Sequence, residues 1–403
     1  MNNGAENVKN NTVFQEDKPP WGTLTGIRPA KVAEKLLVSG KNVEFVKDKL
    51  IHTYYVFPEK ASLCIETAQA AIELKKTLNP RDVALYVGIP FCPTRCAYCS
   101  FVSNSVERSF NLIEPFIDTL MQEIENVSGL VDELDLRIIS VYIGGGTPTS
   151  LAEDAFYSVL SALKKSFDFS NLREYTVEAG RPDTITKKKL EIMTGMGAKR
   201  ICINPQSMSA RVLSAIKRNH SPEDVSFAVG LVKKTGASLN MEIIAGLPDD
   251  TPDGFCRTLD TVLEFAPENI TVHTLSLKKG SRIMLENTAI PSGAEVGEML
   301  DYSSKRLRES GYRPYYVYRQ KYISGGFENT GCSKPGYEGI YNICMMEELC
   351  TVLALGGGGV TKLVTADGRI ERIFNAKYPR EYIMMTEKMK EKIGRIRENA
   401  ISI

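Results

Sequence analysis

Six short apolar runs, each typical of a buried β-strand, alternate with helical patterns in the middle of this 403-residue chain. The alternation predicts an α/β fold whose parallel sheet is joined by right-handed crossovers. The strand-like runs are 84–87, 138–143, 175–178, 200–204, 239–244 and 270–275. The helical patterns between them are 113–127, 156–167, 187–195, 210–217, 224–234 and 254–265. Because six units are too few for a closed eight-stranded barrel, we predict an open, partial (β/α)6 barrel; a doubly wound sheet would give the same pattern.

The regions on either side of this alternation lack its regularity. Residues 1–18 are polar and rich in asparagine, which predicts a disordered tail. Residues 19–80 have periodic apolar positions and predict a helical N-terminal segment. The partial barrel is expected to span 81–278, and residues 279–403 to form a smaller C-terminal domain. The helices predicted in that domain are 294–310, 347–355 and 379–393.

Composition and charge exclude several classes of protein. The net charge is +1, so no bulk electrostatic attraction to nucleic acid or to an anionic membrane is expected. No apolar run reaches the length of a membrane span, and the first seven residues lack the basic and apolar regions of a signal peptide. We therefore expect a cytoplasmic enzyme, in a compartment that keeps its nine cysteines reduced.

Three of the cysteines lie close together, soon after the first strand-like run. Cys92, Cys96 and Cys99 are separated by three and then two residues, a spacing that can turn three thiolates toward one iron–sulfur cluster or zinc ion. Zinc normally takes four ligands, whereas the other cysteines are scattered and no histidine lies nearby in the sequence. The odd number of cysteines argues against disulfides. With three protein ligands, a four-iron cluster would keep one iron available to another molecule.

Glycines and polar residues follow the later strand-like runs, where the carboxyl ends of parallel strands meet. Gly144–Thr147 follows the second run and can bring backbone amides to a carboxylate, such as that of an amino acid. Glu178, Gln206 and Glu242 stand at the ends of later strands. Since a carboxylate in an apolar strand is costly unless it is paired or faces a cleft, we predict a shared polar site. Arg218 could supply this site with a cation.

Together these motifs resemble a known family. The CxxxCxxC spacing at 92–99 is similar to the signature of radical S-adenosylmethionine enzymes. Combined with the glycine loop at 144–149 and with Gly246-Leu247-Pro248, it resembles the oxygen-independent coproporphyrinogen III oxidase family. The segment 19–29 and Lys334-Pro335-Gly336-Tyr337 point to its HemZ-type branch, also called coproporphyrinogen dehydrogenase. The resemblance implies a partial TIM-like barrel that binds a [4Fe–4S] cluster and S-adenosylmethionine.

The resemblance also implies which residues bind these cofactors. The cluster ligands would be Cys92, Cys96 and Cys99. One S-adenosylmethionine molecule would meet Tyr86, Gly145, Glu178 and Val360. A second would meet Tyr98, Gly146, Thr147, Gln206, Arg218, Glu242 and Ser276. Among them we expect catalytic roles for Glu178, Gln206 and Arg218. The chain departs from the family at Glu242, where aspartate is usual, and at Phe101, where the best-known members have a further cysteine.

The activity implied by the resemblance is oxidative decarboxylation of coproporphyrinogen III, whose propionates become the vinyl groups of protoporphyrinogen IX in haem biosynthesis. A 5′-deoxyadenosyl radical would take hydrogen from the propionate β-carbon, and a flavodoxin or ferredoxin would donate electrons. Two other functions stay open: relatives of this family carry haem as chaperones, and other radical reactions methylate or open tetrapyrroles. Candidate cations for the substrate carboxylates are Arg28, Arg319, Lys334 and Lys362.

Overall fold

The protein is represented by a computed structural model, which describes residues 19–26, 28–99, 104–278, 280–365 and 368–400, except for the side chains of 104, 399 and 400. The predicted disordered tail at 1–18 and the departure at Phe101 lie outside the described residues. Among the residues described, no helix combines the length and apolar character needed to cross a bilayer.

The helices and strands are numbered in chain order. The helices are α1 Ala30–Val38, α2 Val43–His52, α3 Pro58–Lys76, α4 Phe110–Glu133, α5 Glu153–Ser166, α6 Lys187–Gly195, α7 Ala210–Ala215, α8 Pro222–Lys233, α9 Pro252–Glu264, α10 Arg282–Leu285, α11 Gly293–Glu309, α12 Ile340–Glu347, α13 Pro379–Ile383 and α14 Thr386–Ala400. The strands are β1 Asp82–Ile89, β2 Phe91–Cys92, β3 Asn104–Ser105, β4 Arg137–Gly145, β5 Glu174–Gly180, β6 Arg200–Gln206, β7 Ser238–Ala245, β8 Asn269–Thr274, β9 Arg313–Tyr318, β10 Asn329–Ser333, β11 Thr351–Gly356, β12 Val360–Val364 and β13 Ile370–Phe374.

One large sheet organises the described part of the chain. Its strand order is β13-β12-β11-β1-β4-β5-β6-β7-β8-β10-β9, and the strands from β11 to β8 are parallel. The six strands predicted from sequence lie side by side in chain order, whereas a doubly wound sheet reverses its order at a switch point. Right-handed crossovers between sequential strands place the connecting helices on one face. The predicted α/β fold with a partial barrel is therefore confirmed, and the doubly wound alternative is wrong.

The outer face of this sheet carries the main apolar core. Leu85 on β1 and Val141 on β4 are fully buried, and they belong to the same cluster as Phe116 on α4 and Phe255 on α9. Burying a side chain of this size contributes about 1.5–3 kcal/mol relative to leaving it exposed, so the helices are held on this face. Because side chains alternate along a strand, the intervening residues point to the inner face. The inner face of the sheet carries tyrosines and carboxylates, among them Tyr142 and Glu178.

The region after residue 279 joins the same sheet at both of its edges. Strand β10 lies antiparallel to β8, and β11 lies parallel to β1. The helix predicted over 347–355 is wrong, because α12 ends at Glu347 and the apolar run that follows forms β11. All of β11 is buried, and a short, continuously apolar strand cannot be distinguished from a buried helix by periodicity. The helix predicted over 379–393 is divided into α13 and α14. The domain boundaries themselves stay predictions.

A buried ionic network attaches the C-terminal elements to α4. The carboxylate of Glu123, which is fully buried, accepts hydrogen bonds from the backbone N–H of Gly356 at 2.8 Å and from Asn375 Nδ2 at 2.9 Å. It also accepts from Tyr382 Oη at 2.5 Å and from Lys392 Nζ at 2.8 Å. With four donors around it, this carboxylate links α4, β11, α13 and α14. The packing of these C-terminal elements on α4 therefore depends on a buried carboxylate and its ammonium partner.

The turn after β11 packs closely against the end of β1. Gly356 has φ of +80°, and a Cβ atom on it would lie 2.2 Å from the carbonyl oxygen of Gly88. The backbone N–H of Gly357 donates to the same carbonyl at 3.0 Å, and a Cβ there would lie 2.7 Å from Pro90 Cγ. Only glycine permits this approach of two backbones. The turn thus supports the segment that leads into Cys92.

The burial of Glu347, the last residue of α12, makes the stability of the folded protein depend on pH. It is 1 % exposed, and neither carboxylate oxygen has a hydrogen-bond partner among the described residues. Burial raises the pKa of Glu347 to about 7, although Lys31 opposes the shift. The folded-state pKa of Glu347 therefore lies above the unfolded value, and ionising this carboxyl group costs more in the folded protein. The contribution of the protonated group to stability is fully present below pH 4.5 and is lost as the pH rises through 7.

We therefore expect Glu347→Gln to become progressively more stable than the wild type as the pH rises. The difference in the free energy of unfolding should grow by about 2 kcal/mol between pH 5 and pH 8, measured by urea denaturation. The exposed Glu264, changed in the same way, serves as the control and should show no such growth. A difference for Glu347→Gln that is equal at both pH values would contradict the prediction.

Candidate functional site

The cysteine loop, residues 92–99, begins at the carboxyl end of β1. Cys92 ends β2, and its carbonyl accepts a hydrogen bond from the backbone N–H of Val106 at 2.9 Å. On the other side of the loop, the N–H of Ala97 donates to the carbonyl of Ile216 at 2.9 Å. The loop is therefore held by backbone hydrogen bonds from two different parts of the chain. This places the three thiols at the end of the sheet where parallel strands terminate.

The thiols of Cys92 and Cys96 accept hydrogen bonds from polar side chains. Thr147 Oγ1 donates to Cys92 Sγ at 3.5 Å, and Arg181 Nη1 donates to Cys96 Sγ at 3.9 Å. Such donors favour the thiolate, the form that binds metals, and three thiols on one short loop suit a soft metal centre. Within the described residues, however, no three His, Cys, Asp or Glu side chains stand in a recognisable metal-binding arrangement. The assignment of Cys92, Cys96 and Cys99 as ligands stays a prediction.

The glycine loop after β4 lies directly against the cysteine loop. The N–H of Gly146 donates to the carbonyl of Ile89, and that of Thr147 donates to the carbonyl of Phe91, both at 2.7 Å. Gly145 has φ of +104°, a conformation that disfavours residues with a Cβ. A Cβ on Gly146 would lie 2.5 Å from the carbonyl oxygen of Phe91. The structure thus brings these two sequence motifs together, and it explains why glycine occupies both positions.

Glu178 stands near the carboxyl end of β5, beside the glycine loop. Its Oε1 atom accepts a hydrogen bond from Tyr142 Oη at 2.5 Å, and a Cβ on Gly144 would lie 2.9 Å from its carboxyl group. Desolvation raises the pKa of Glu178 to about 8, and the charge of Glu242 contributes, whereas hydrogen bonds from Tyr142 and Gly145 oppose the shift. This carboxyl group is able to attract the ammonium group of an amino-acid ligand, whose charge would lower its pKa again.

Glu242, on β7, belongs to a chain of polar contacts across three strands. Its Oε2 atom lies 3.3 Å from His273 Nε2 on β8, and His273 Nδ1 lies 3.4 Å from Tyr318 Oη on β9. The sequence interpretation missed His273, which lies within an apolar run. The signal that could have found it is alternation, because His273 is two residues from Thr271, whose register partner on β7 is Glu242.

Arg218 connects the cysteine loop to β6. Its Nη2 atom donates to Tyr98 Oη at 3.0 Å, and its Nη1 atom donates to the carbonyl of Asn204 at 2.7 Å. Gln206, at the end of β6, is 5 % exposed and has φ of +68°. Neither Gln206 Oε1 nor Arg218 Nε has a hydrogen-bond partner among the described residues. Because buried polar atoms normally have partners, these two atoms fit a cleft that accepts a polar ligand.

Three tyrosines line the inner face between β1, β4 and α12. The ring of Tyr86 stacks on Tyr142 and Tyr341 with centroids 6.4 and 6.0 Å apart, and the rings of Tyr142 and Tyr341 lie 4.4 Å apart. The hydroxyl of Tyr86 approaches Gly145, since a Cβ on that glycine would lie 3.4 Å from it. The two predicted contacts Tyr86 and Gly145 are therefore neighbours, next to an aromatic surface.

Two other predicted ligand contacts are bound to C-terminal segments. Ser276 Oγ donates to the carbonyl of Lys321 at 3.0 Å, and Val360 pairs with Phe374 at the start of β12. Neither observation joins them to the cysteine loop, so their assignment to S-adenosylmethionine stays a prediction.

The four cations proposed for substrate carboxylates each contact another part of the protein. Arg28 and Lys362 both pair with Glu348, the latter at 3.9 Å. Arg319 donates to the carbonyls of residues 24 and 326, and Lys334 Nζ donates to that of residue 266 at 2.9 Å. Two of the four thus pair with a carboxylate and two bind backbone carbonyls, and none of these contacts joins a side chain to the cysteine loop.

Comparison with known proteins shows what this chain is similar to. The sequence model of the protein family described as "Radical SAM superfamily" matches residues 86–262. The "Oxygen-independent coproporphyrinogen-III oxidase-like protein HemZ" of Bacillus subtilis is 38% identical over 369 residues, which are 90% of this chain and 74% of that protein. The "Heme chaperone HemW" of Haemophilus influenzae is 26% identical over 304 residues, 75% of this chain and 76% of that protein. The solved coproporphyrinogen III oxidase HemN of Escherichia coli has a TM-score of 0.61 at 21% identity, covering 79% of this chain and 72% of that one.

The cysteine loop on a partial barrel defines a radical S-adenosylmethionine protein, the class whose cofactors are a [4Fe–4S] cluster and S-adenosylmethionine. The chain belongs to the HemN/HemZ family of this superfamily, that of the oxygen-independent coproporphyrinogen III oxidases and their relatives. The family and the cofactors predicted from the sequence are thereby confirmed.

Proposed function

We propose that this protein catalyses the oxidative decarboxylation of coproporphyrinogen III, converting propionate side chains to the vinyl groups of protoporphyrinogen IX. The observation that carries the proposal is the 38% identity, over 90% of the chain, to a relative described as coproporphyrinogen-III oxidase-like. The site supports it, because the cysteine loop, the glycine loop and Glu178 meet at one end of the sheet. The reaction would belong to haem biosynthesis.

In this proposal Cys92, Cys96 and Cys99 bind the cluster, while the glycine loop and Glu178 hold the amino-acid part of S-adenosylmethionine. When bound, these cofactors supply one-electron chemistry that can remove a hydrogen atom from an unactivated carbon. The protein orients the reacting groups and excludes water from them. The tyrosines of the inner face form an apolar wall beside the glycine loop and Glu178. A flavodoxin or ferredoxin would supply the electron that cleaves S-adenosylmethionine, and an oxidised one-electron acceptor would take up the electron released when carbon dioxide leaves the substrate. We place the protein in the cytoplasm, where thiols stay reduced.

An anaerobic product assay tests the activity. Reconstituted protein, dithionite, S-adenosylmethionine and coproporphyrinogen III are combined, and the tetrapyrroles are separated after brief oxidation. We expect protoporphyrin IX, the oxidised form of the product protoporphyrinogen IX, together with carbon dioxide. Methylated or ring-opened tetrapyrrole would instead show another radical reaction on the same class of substrate, and would overturn the proposal.

Haem binding is the second candidate function, because relatives that match about three quarters of the chain are described as haem chaperones. The two functions differ in turnover. A chaperone would bind haem tightly in a one-to-one ratio and release no carbon dioxide from coproporphyrinogen III. Haem titration followed by absorbance, beside the product assay, separates them.

Gln206 allows the use of S-adenosylmethionine to be separated from decarboxylation. If it contacts a second S-adenosylmethionine molecule, Gln206→Ala should lower decarboxylation by about tenfold, the cost of one or two lost hydrogen bonds. Reductive formation of 5′-deoxyadenosine should stay near the wild-type rate, and both products are measured in the same chromatogram. Gln122→Ala, on the exposed side of α4, is the matched control. Equal loss of both activities would argue against two separable sites.

A further inference from the structure

Arg181, directly after β5, contacts the cysteine loop from a buried position. It is 2 % exposed, among the largest side chains that are fully buried in the described residues. Its Nη1 atom donates to Thr94 Oγ1 at 3.0 Å and to Cys96 Sγ at 3.9 Å, and both acceptors belong to the loop. The remaining donors, Nε and Nη2, bind the two carboxylate oxygens of Asp183 at 2.9 and 2.8 Å.

This guanidinium group makes more contacts than its ion pair with Asp183 requires. Asp183 alone would neutralise the charge through its two parallel hydrogen bonds, the strongest geometry for such a pair. The third nitrogen is nevertheless directed at the loop, where it meets a hydroxyl and a thiol. A guanidinium group carries a positive charge, so Cys96 lies beside a buried cation.

The surroundings of Arg181 increase the positive potential. Arg218, also buried, donates to Tyr98 in the same loop. His220 is 3 % exposed, and burial, assisted by Arg218 and Arg181, lowers its pKa to about 4, so it stays neutral. Two guanidinium groups thus face the loop, and the carboxylate of Asp183 opposes them in part.

We propose that Arg181 is a positioning residue that raises the reduction potential of the [4Fe–4S] cluster held by the cysteine loop. This inference rests on the proposed cluster site. Reduction transfers one electron from an external low-potential donor to the cluster, with no bond broken and no proton moved, so the cluster and its thiolates gain one negative charge. A buried cation that also hydrogen-bonds to a ligand sulfur stabilises the reduced form more than the oxidised form. Asp183 acts in the opposite direction and limits the effect.

The test is a redox titration of anaerobically reconstituted full-length protein, followed by the EPR signal of the reduced cluster. Arg181→Gln removes the charge, and we expect its potential to be more negative than that of the wild type. At a fixed solution potential the ratio of oxidised to reduced cluster should rise about tenfold, equivalent to about 59 mV for a one-electron couple. Arg181→Lys, which keeps the charge, should lie between the two. Asp183→Asn should shift the potential in the positive direction, because it removes the opposing carboxylate.

Controls distinguish failure of this inference from failure of the cluster site. Arg81→Gln removes an exposed arginine that pairs with Asp135, and it should leave the potential unchanged. Iron and sulfide are quantified in every sample, and wild-type protein without iron would refute the cluster site itself. Full clusters with equal potentials in wild type, Arg181→Gln and Asp183→Asn would overturn the role of Arg181 alone. If Arg181→Gln fails to retain a cluster, Asp183→Asn decides: a positive shift supports the inference, and any other result overturns it.

Discussion

Replacing Cys96 by alanine is expected to abolish the cluster and every activity that depends on it. The broad absorbance of a reconstituted cluster at ~400 nm should disappear, together with the formation of 5′-deoxyadenosine from S-adenosylmethionine. The fold should survive, because the loop is held by backbone hydrogen bonds of Cys92, Val106 and Ala97 that do not involve the thiol. Absorbance, iron and sulfide content and far-ultraviolet circular dichroism measure these outcomes.

A second cysteine provides the control for this experiment. Cys256 lies on α9 and is partly buried, but it is far from the loop in sequence. Cys256→Ala should therefore retain the full cluster spectrum and the wild-type rate of S-adenosylmethionine cleavage. A full cluster spectrum in Cys96→Ala would refute the ligand assignment. Loss of the helical signal in that variant would instead indicate a role in folding.

Replacing Glu123 by alanine is expected to cause the largest loss of stability, about 3–5 kcal/mol in the free energy of unfolding. The change leaves the ammonium group of Lys392, which is 2 % exposed, without its carboxylate partner. It also removes the acceptor of Gly356, Asn375 and Tyr382, and an unsatisfied buried donor is itself costly. Urea denaturation of the protein without cofactors, followed by circular dichroism, gives the difference.

Two further variants make this measurement specific. Glu125→Ala alters an exposed glutamate on the same helix and should change the stability by less than about 0.5 kcal/mol. The double variant Glu123→Leu with Lys392→Met replaces the ion pair by apolar side chains and should recover much of the loss, because no buried charge is left unpaired. Equal, small effects of Glu123→Ala and Glu125→Ala would contradict the importance of the network.

The elements predicted from the sequence agree with the structure where the pattern of neighbouring residues reflects burial. The first strand-like run, 84–87, lies inside β1, and the helix predicted over 187–195 has the bounds of α6. Both are cases in which side-chain alternation or helical periodicity reports directly on burial. The helix predicted over 347–355 fails because β11 is buried throughout and its stabilising neighbour, β1, lies more than 260 residues earlier. No local pattern carries that information.

The candidate site, like the fold, combines features that local sequence patterns predict with features that depend on distant contacts. Cysteine spacing, the glycine loop and the acids at strand ends are local signals, and their meeting at one end of the sheet could be inferred because parallel strands share a direction. His273 and Arg181 were missed, since a histidine in an apolar run and an arginine just after a strand resemble ordinary residues until their partners are known. The partners of Arg181 include Cys96, which lies 85 positions away in the sequence.

By itself the sequence specified the order of strands and helices, the family and the three thiols, because spacing and periodicity are properties of neighbouring residues. Only the tertiary structure decided that the C-terminal strands extend the sheet at both edges, that Glu123 anchors them, and that a buried guanidinium group lies against Cys96. The physical reason is that burial of a charge and pairing of distant strands depend on three-dimensional proximity, which no short segment of the chain encodes.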